Sequence, residues 1–233
     1  MESTVNIIAI IQARIGSTRL PNKVMKRIGD YSMIELLLRR LKKSKKINKI
    51  VVATPSNTNN NLLIGHIKEL GFDCELGSED DVLDRYLQVG KKYQADIIVR
   101  ITGDCPLVDP TLVDQIIDEF NSKNCDYLSN TLQPTFPDGL DVEVFTFDSL
   151  KKAHIKGKQL FEREHVTPFI KNSNIFKTKN FQNKQDYSQL RWTVDDIEDF
   201  QTVSKIFEYF TPDIHFNWKE VLDLYKNKPE IFT

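Results

Sequence analysis

The chain has 233 residues, 40% of them hydrophobic and 28% charged, and its 32 Lys and Arg against 33 Asp and Glu leave a formal net charge of −1. That length suits one large domain with a sizeable core, and so even a balance excludes a global field for nucleic acid or membrane, leaving anion binding to local clustering. Three scattered cysteines (Cys74, Cys105, Cys125) support neither a zinc ribbon nor a disulfide framework, and the start MESTVN with no run of membrane-spanning length reads as cytoplasmic.

Ile7 to Ile11 is an unbroken apolar run, the pattern of a strand buried on both faces of a parallel sheet. A loop follows that carries Arg14, Arg19 and Lys23 among Gly16, Ser17 and Thr18, with Pro21 close behind. Three cations and exposed amides at the carboxyl end of a buried strand suit a polyanion, here a nucleoside triphosphate. There is no GxGxxG and no GxxxxGK[ST], so the charges themselves must do the holding.

Ser32, with Glu35 completing a capping box, opens a helix over Met33 to Lys43. Its basic end, Lys42 to Lys46, has no interleaved aromatics and reads as a solvated helix terminus, not a nucleic-acid patch. A strand over Lys49 to Thr54, a helix over Leu62 to Leu70 ended by Gly71, and a short strand FDCEL come next. Ser78 and Asp81 begin a helix that turns Val82, Leu83, Tyr86 and Val89 inward. Asp96 to Ile101 is a third buried strand, broken at Thr102-Gly103-Asp104-Cys105-Pro106-Leu107.

Asp109 caps a helix over Pro110 to Phe120. Cys125 to Asn130 is a strand, and Gln133 to Gly139 is a loop over the site. Leu140 to Phe147 alternates, so one of its faces should be less buried. Helices over Phe147 to Lys156 and Phe161 to Asn172, a weaker strand over Ile175 to Asn180 and another over Gln189 to Val194 lead to Asp195-Asp196. Helices over Glu198 to Tyr209 and Trp218 to Asn227 finish the chain. The alternation predicts an α/β fold, a mostly parallel twisted sheet with helices on both faces and ligands beyond the carboxyl strand ends. It reads as one domain over 1–233, with a small dimerisation or lid subregion around 131–172.

Asp104 stands directly after a buried strand. It suits either a turn cap or a magnesium ligand, since magnesium takes oxygen donors from one or two carboxylates plus substrate phosphates. Asp195 is the best second carboxylate, with Asp196 its rival and a candidate helix cap.

Gln12-Ala13-Arg14 followed by Gly16-Ser17-Thr18-Arg19-Leu20-Pro21-Asn22-Lys23 resembles the signature of the sugar-acid cytidylyltransferases, the CMP-KDO and CMP-sialic acid synthetases among them. Thr102 to Leu107 looks like their metal loop and Thr193-Val194-Asp195 like their second metal aspartate. With Gly77 to Tyr86 and Glu164-His165-Val166-Thr167-Pro168, the nearest likeness is to the SpsF-type branch of spore-coat polysaccharide biosynthesis. The likeness spans nearly the whole chain. It implies a Rossmann-like nucleotidyltransferase fold, CTP as donor, Mg2+ on Asp104 and Asp195, and a homodimer. Gln12 stands where those synthetases have Pro, and Cys105 where acidic residues often follow the metal aspartate, so KDO or sialic acid does not carry over as acceptor.

The expected reaction is in-line displacement at the α-phosphate of CTP by an acidic sugar or phosphorylated acceptor. Arg14, Lys23 and Asp104 are its catalytic candidates. Gln12, Ala13, Arg14, Gly16, Ser17, Arg19, Lys23 and Asp104 would line the nucleotide site, joined through the resemblance by Ser78 and Arg100. Arg163, His165 and Arg191 are candidates for an anionic acceptor. The rival readings are another nucleotide or a polyol or sugar phosphate acceptor, a nucleotide-sugar-binding protein without catalysis, and a nucleic-acid binder using Lys42 to Lys46.

Overall fold

The computed structural model describes residues 5–232, so Met1 to Thr4, on which part of the leader reading falls, lie outside the described residues. β1 (Ile7–Gln12) is the axis of the structure. Side chains alternate along a strand, so Ile7, Ala9 and Ile11 enter one hydrophobic cluster while Ile8 and Ile10 enter another on the opposite face. Beyond a single 3-10 turn at Lys23–Met25 comes a two-residue hairpin, β2 (Arg27–Ile28) and β3 (Tyr31–Ser32), which the sequence reading passes over. Next are α1 (Met33–Leu41), β4 (Lys49–Pro55), α2 (Asn61–Glu69), β5 (Asp73–Gly77), α3 (Val82–Lys92) and β6 (Ile97–Thr102). The second half holds α4 (Pro110–Lys123), β7 (Tyr127–Ser129), β8 (Glu143–Thr146), α5 (Phe147–Lys156), α6 (Leu160–His165), α7 (Pro168–Asn172), β9 (Thr178–Asn180), α8 (Ile197–Phe210) and α9 (Trp218–Asn227).

The seven strands lie in the order β5-β4-β1-β6-β8-β7-β9. β5, β4, β1 and β6 are parallel. β8 is inserted antiparallel between β6 and β7, and β9 runs parallel to β7. The sheet is thus mostly parallel with helices on both faces. Because β8 runs backwards, its first residue, Glu143, lies opposite Arg100 of β6.

Four local expectations are corrected. Ser32 caps α1, accepting from the Glu35 amide at 3.2 Å, but Glu35 returns no bond; its carboxylate accepts from Arg39 at 2.7 Å, so the capping box is half-formed. The alternating stretch before α5 has no exposed face: Glu143, Val144 and Phe145 are all buried because β8 is covered on both sides. The helix expected over Phe161 to Asn172 breaks in two at Val166, whose φ of 71° lies outside the helical region, and Pro168 opens the second piece as its first residue. The strand expected over Gln189 to Val194 reduces to one bridge between Asp138 and Arg191. Gly139, with φ +104°, turns its strand away there, and a Cβ on it would lie 2.4 Å from the Thr193 amide.

Candidate active site

The loop after β1 is shaped by its own bonds. Ser17 accepts from the Leu20 amide at 3.3 Å, Asn60 accepts from the Ile15 amide at 2.9 Å, and Asn22 takes a left-handed conformation before the 3-10 turn. The amides of Gly16, Thr18 and Arg19 meet no acceptor among the described residues. The β6 loop closes onto this one: the Gly103 amide donates to the Gln12 carbonyl at 2.8 Å, and a Cβ on Gly103 would sit 3.0 Å from that oxygen. That close approach needs glycine.

A cavity of about 390 Å³ lies between these loops, α3 and α6. Its walls bring together Gln12, Ala13, Arg14, Gly16, Ser17, Arg19, Lys23, Asp104, His165 and Asp195. At its centre the Lys23 ammonium donates to Asp104 at 3.1 Å, Asp195 at 3.0 Å and the Val194 carbonyl at 2.8 Å. Arg19 stands 3.2 Å from the other Asp195 oxygen and Arg14 3.7 Å from Glu79, both side chains more than half exposed and free to swing to an anion. Burial raises the Asp195 carboxyl, but the bonds from Lys23 and Arg191 and the charges of Lys23 and Arg19 outweigh it and hold it below its usual value. Cys105, beside Asp104, is held as a thiol by burial and by the neighbouring carboxylates.

Two carboxylates and a carbonyl around one ammonium make an all-oxygen donor set. The described residues contain no cluster of three acidic, His or Cys groups for a metal. Such a set fits a hard divalent ion that keeps waters and takes phosphate oxygens, and fits zinc poorly. Asp196 is engaged elsewhere, capping α8 through the Glu198 and Asp199 amides at 3.1 and 2.9 Å.

Other candidates lie outside this cavity. The Ser78 hydroxyl accepts from the Asp81 amide at 3.0 Å at the entry to α3. Arg163 bonds Asp81 and, at 2.9 Å, the His154 carbonyl, pinning α6 to α3 and α5. Arg191 reaches Asp138, Asp195 and Asp199 at 2.7, 2.9 and 3.0 Å, and so holds Asp195 from behind. The Gln133 to Gly139 loop does not cover the site: Phe136 is buried between Phe181 and Trp218. Arg100 lines a second cavity of about 330 Å³, which shares Thr102 and His165 with the first.

His165 stands at that junction because of Val166. Its φ and ψ of 71° and −57°, with the Thr167 amide donating to the His165 carbonyl at 2.8 Å, form a γ-turn of the rare, strained hand. A buried β-branched residue in that conformation is held there by its surroundings.

Arg85 is the residue the sequence reading misses. It is 2% exposed, lines the first cavity, spends one donor on the Ser78 carbonyl at 2.6 Å, and among the described residues has no carboxylate partner; its Nε is buried and unsatisfied. Burial lowers its pKa. The signal was legible: Arg85 lies three residues after Val82 and one before Tyr86, on the face of α3 that turns inward.

A family model described as cytidylyltransferase matches residues 8–228. The chain is a member of the cytidylyltransferase family. Among relatives of this cytidylyltransferase, an uncharacterized protein of Methanocaldococcus jannaschii is 41% identical over 97% of this chain and 92% of its own. The spore coat polysaccharide biosynthesis protein SpsF of Bacillus subtilis is 30% identical over 98% of this chain and 97% of its own. A solved cytidylyltransferase from Leptospira borgpetersenii superposes with a TM-score of 0.94 at 36% identity, covering 98% and 97% of the two chains. A CMP-KDO synthetase complexed with CTP shares the fold at TM-score 0.70 and 16% identity over 88% of this chain and 99% of its own. The fold is therefore the Rossmann-like nucleotidyltransferase fold, and the family is one of nucleotidyltransferase enzymes.

Proposed function

We propose that this cytidylyltransferase moves CMP from CTP to an acidic sugar used in a surface polysaccharide, releasing pyrophosphate. The observation that carries the reading is the Lys23 ammonium joined to Asp104 and Asp195 beneath a loop bearing Arg14 and Arg19. The likeness to SpsF supports the polysaccharide setting, and the CTP complex of the fold neighbour supports the donor.

In this reading Arg14, Arg19 and the open amides of the β1 loop take the β- and γ-phosphates, where charge accumulates on the departing pyrophosphate. Gln12, Ala13 and the buried Arg85 face the rest of the nucleotide. Lys23 fixes Asp104 and Asp195 at one spacing and neutralises charge beside the α-phosphate. Asp104 and Asp195 are the residues that would hold Mg2+, which when bound withdraws charge from phosphate oxygens. His165, between the cavities, and Arg100 face the acceptor. Its hydroxyl oxygen bonds to the α-phosphorus as the bond to the β-phosphate oxygen breaks, and the hydroxyl proton passes to solvent. We assign the exposed Ile155, Leu160 and Phe161, within 131–172, to contact with a second copy, and the cytoplasm to the working compartment.

The test is pyrophosphate release, screened over four nucleotides against sugar acids and phosphorylated acceptors, with and without Mg2+. CTP with a sugar acid is the expected pair. Asp104→Asn should lower its rate by about 100-fold or more with an unchanged circular dichroism spectrum; near-normal turnover in that variant removes Asp104 from the reaction.

A further inference from the structure

The second cavity has a charged lining whose members are not equally occupied. Glu143 is 4% exposed. One of its oxygens meets Arg100. The other accepts from the Tyr127 hydroxyl at 2.6 Å and the Thr167 hydroxyl at 2.6 Å, and stands 3.1 Å from the Lys171 ammonium. Glu143 has no capacity left for a ligand. Arg100 is spread between Glu143 and Gln12. Lys171 has three donors and spends one on Glu143, so it can still take an anion.

Asp141 is in the opposite condition. Its carboxylate lines the same cavity, half-buried, and among the described residues it accepts no hydrogen bond and forms no ion pair. Burial, and after it the like charges of Asp138, Glu143 and Asp104, push its carboxyl up to about 7 against the opposing charge of Lys171, so a cationic partner would restore the ionised form. The Asp141 oxygens still reach solvent, so a ligand's donor would take the place of water there, beside like charges that water screens poorly. A phosphate monoester would bring two further negative charges toward that carboxylate. A neutral hydroxyl would satisfy the hydrogen bond and leave the carboxylates crowded. A protonated amine does both things at once.

We propose that Asp141 determines acceptor specificity, pairing with a protonated amino group on an acceptor whose own carboxylate faces Lys171. The acceptor class is then an amino sugar acid, and phosphorylated acceptors are refused. This rests on reading the second cavity as the acceptor compartment of the cytidylyl transfer proposed above.

Four probes decide it: D-glucosaminate, D-gluconate, N-acetyl-D-glucosaminate and 6-phosphogluconate, titrated calorimetrically into the full chain with CTP-derived pyrophosphate followed in parallel. Glucosaminate should bind at least about tenfold more tightly than gluconate or its N-acetyl form, the range of one charge-assisted hydrogen bond. Asp141→Asn should bring that ratio to about one, within about twofold on the same scale. Lys171→Met should weaken all the carboxylates together and leave the ratio standing, a pattern that general damage to the fold would not give. Equal binding of glucosaminate and gluconate by the wild-type chain, tighter binding of 6-phosphogluconate, or binding of none of the four overturns the assignment. Amino-selective binding that depends on Asp141, without pyrophosphate release from CTP, supports the pairing and overturns the transfer reading instead.

Discussion

Replacing Lys23 by Met keeps the length of the side chain and removes the charge that three oxygens share. Its side chain is 14% exposed, and those of Asp104 and Asp195 are 28% and 22% exposed. The site therefore lies between a surface ion pair, worth about 0–1 kcal/mol, and a buried one, whose breakage costs about 3–5 kcal/mol. With two carboxylates left facing one another across the vacated position, a loss of about 2–3 kcal/mol at pH 7 is expected. For a chain of this size that is a fall in Tm of roughly 4–12 °C. The pH dependence carries the argument further. Asp195 titrates below its unfolded value, so its contribution is complete above that value, about 3.9, and is lost as pH falls through the folded one. Urea unfolding of wild type and Lys23→Met should thus differ fully at pH 7, and the gap should close as the pH is taken below about 4. A variant within about 0.5 kcal/mol of wild type at pH 7, or a gap that widens on acidification, would refute the bridging role.

Glu143→Gln should cost about 3–5 kcal/mol at pH 7, since it strips the counter-charge from Arg100, whose side chain is 13% exposed. Burial raises the Glu143 carboxyl, but Arg100, Lys171 and two hydroxyls hold it down to about 2 from 4.5, so the wild-type advantage should fade between those values in acid-unfolding scans. Arg85→Met, which keeps the packing against Gly77, should raise the KM for CTP about tenfold while leaving the thermal transition within a few degrees; an unchanged KM takes Arg85 out of the site. At Val166, Gly should be more stable than Ala by about 1 kcal/mol in chemical denaturation, the reverse of the usual order, because only glycine meets φ 71° without strain.

The half of the molecule that holds the β1 loop was legible in the sequence because it is built from repeats of one unit. Ile7 to Ile11, Lys49 to Thr54 and Asp96 to Ile101 are apolar runs between amphipathic helices, and right-handed crossovers leave few ways to assemble them. Once they lie parallel, Lys23 and Asp104 must share an end of the sheet. Asp195 was found through a strand that is absent: one bridge and the Gly139 contact carry it there, and neither has a periodic signature. The second cavity was hidden for another reason. Arg100 and Glu143 lie 43 residues apart, and only the antiparallel entry of β8 pairs them. Asp141 has the pattern of the polar half of an alternating strand, and Arg85 lies on the inward face of α3 but is of a residue type that is mostly exposed.

That reversed strand divides the chemistry along the chain. Apart from Glu164 and His165 of α6, the first cavity draws on the loops after parallel strands, α3 and Asp195. Thr131, Asp141, Glu143, Thr167 and Lys171 of the second fall within 131–171, and Arg100 and Thr102 join them from β6. In the proposed reading, donor and acceptor compartments thus draw largely on separate stretches of sequence and share Thr102 and His165. On that reading, substitutions that retune the acceptor could accumulate in one stretch while the proposed triphosphate site stays untouched, a division that would let one nucleotide donor serve many different sugars.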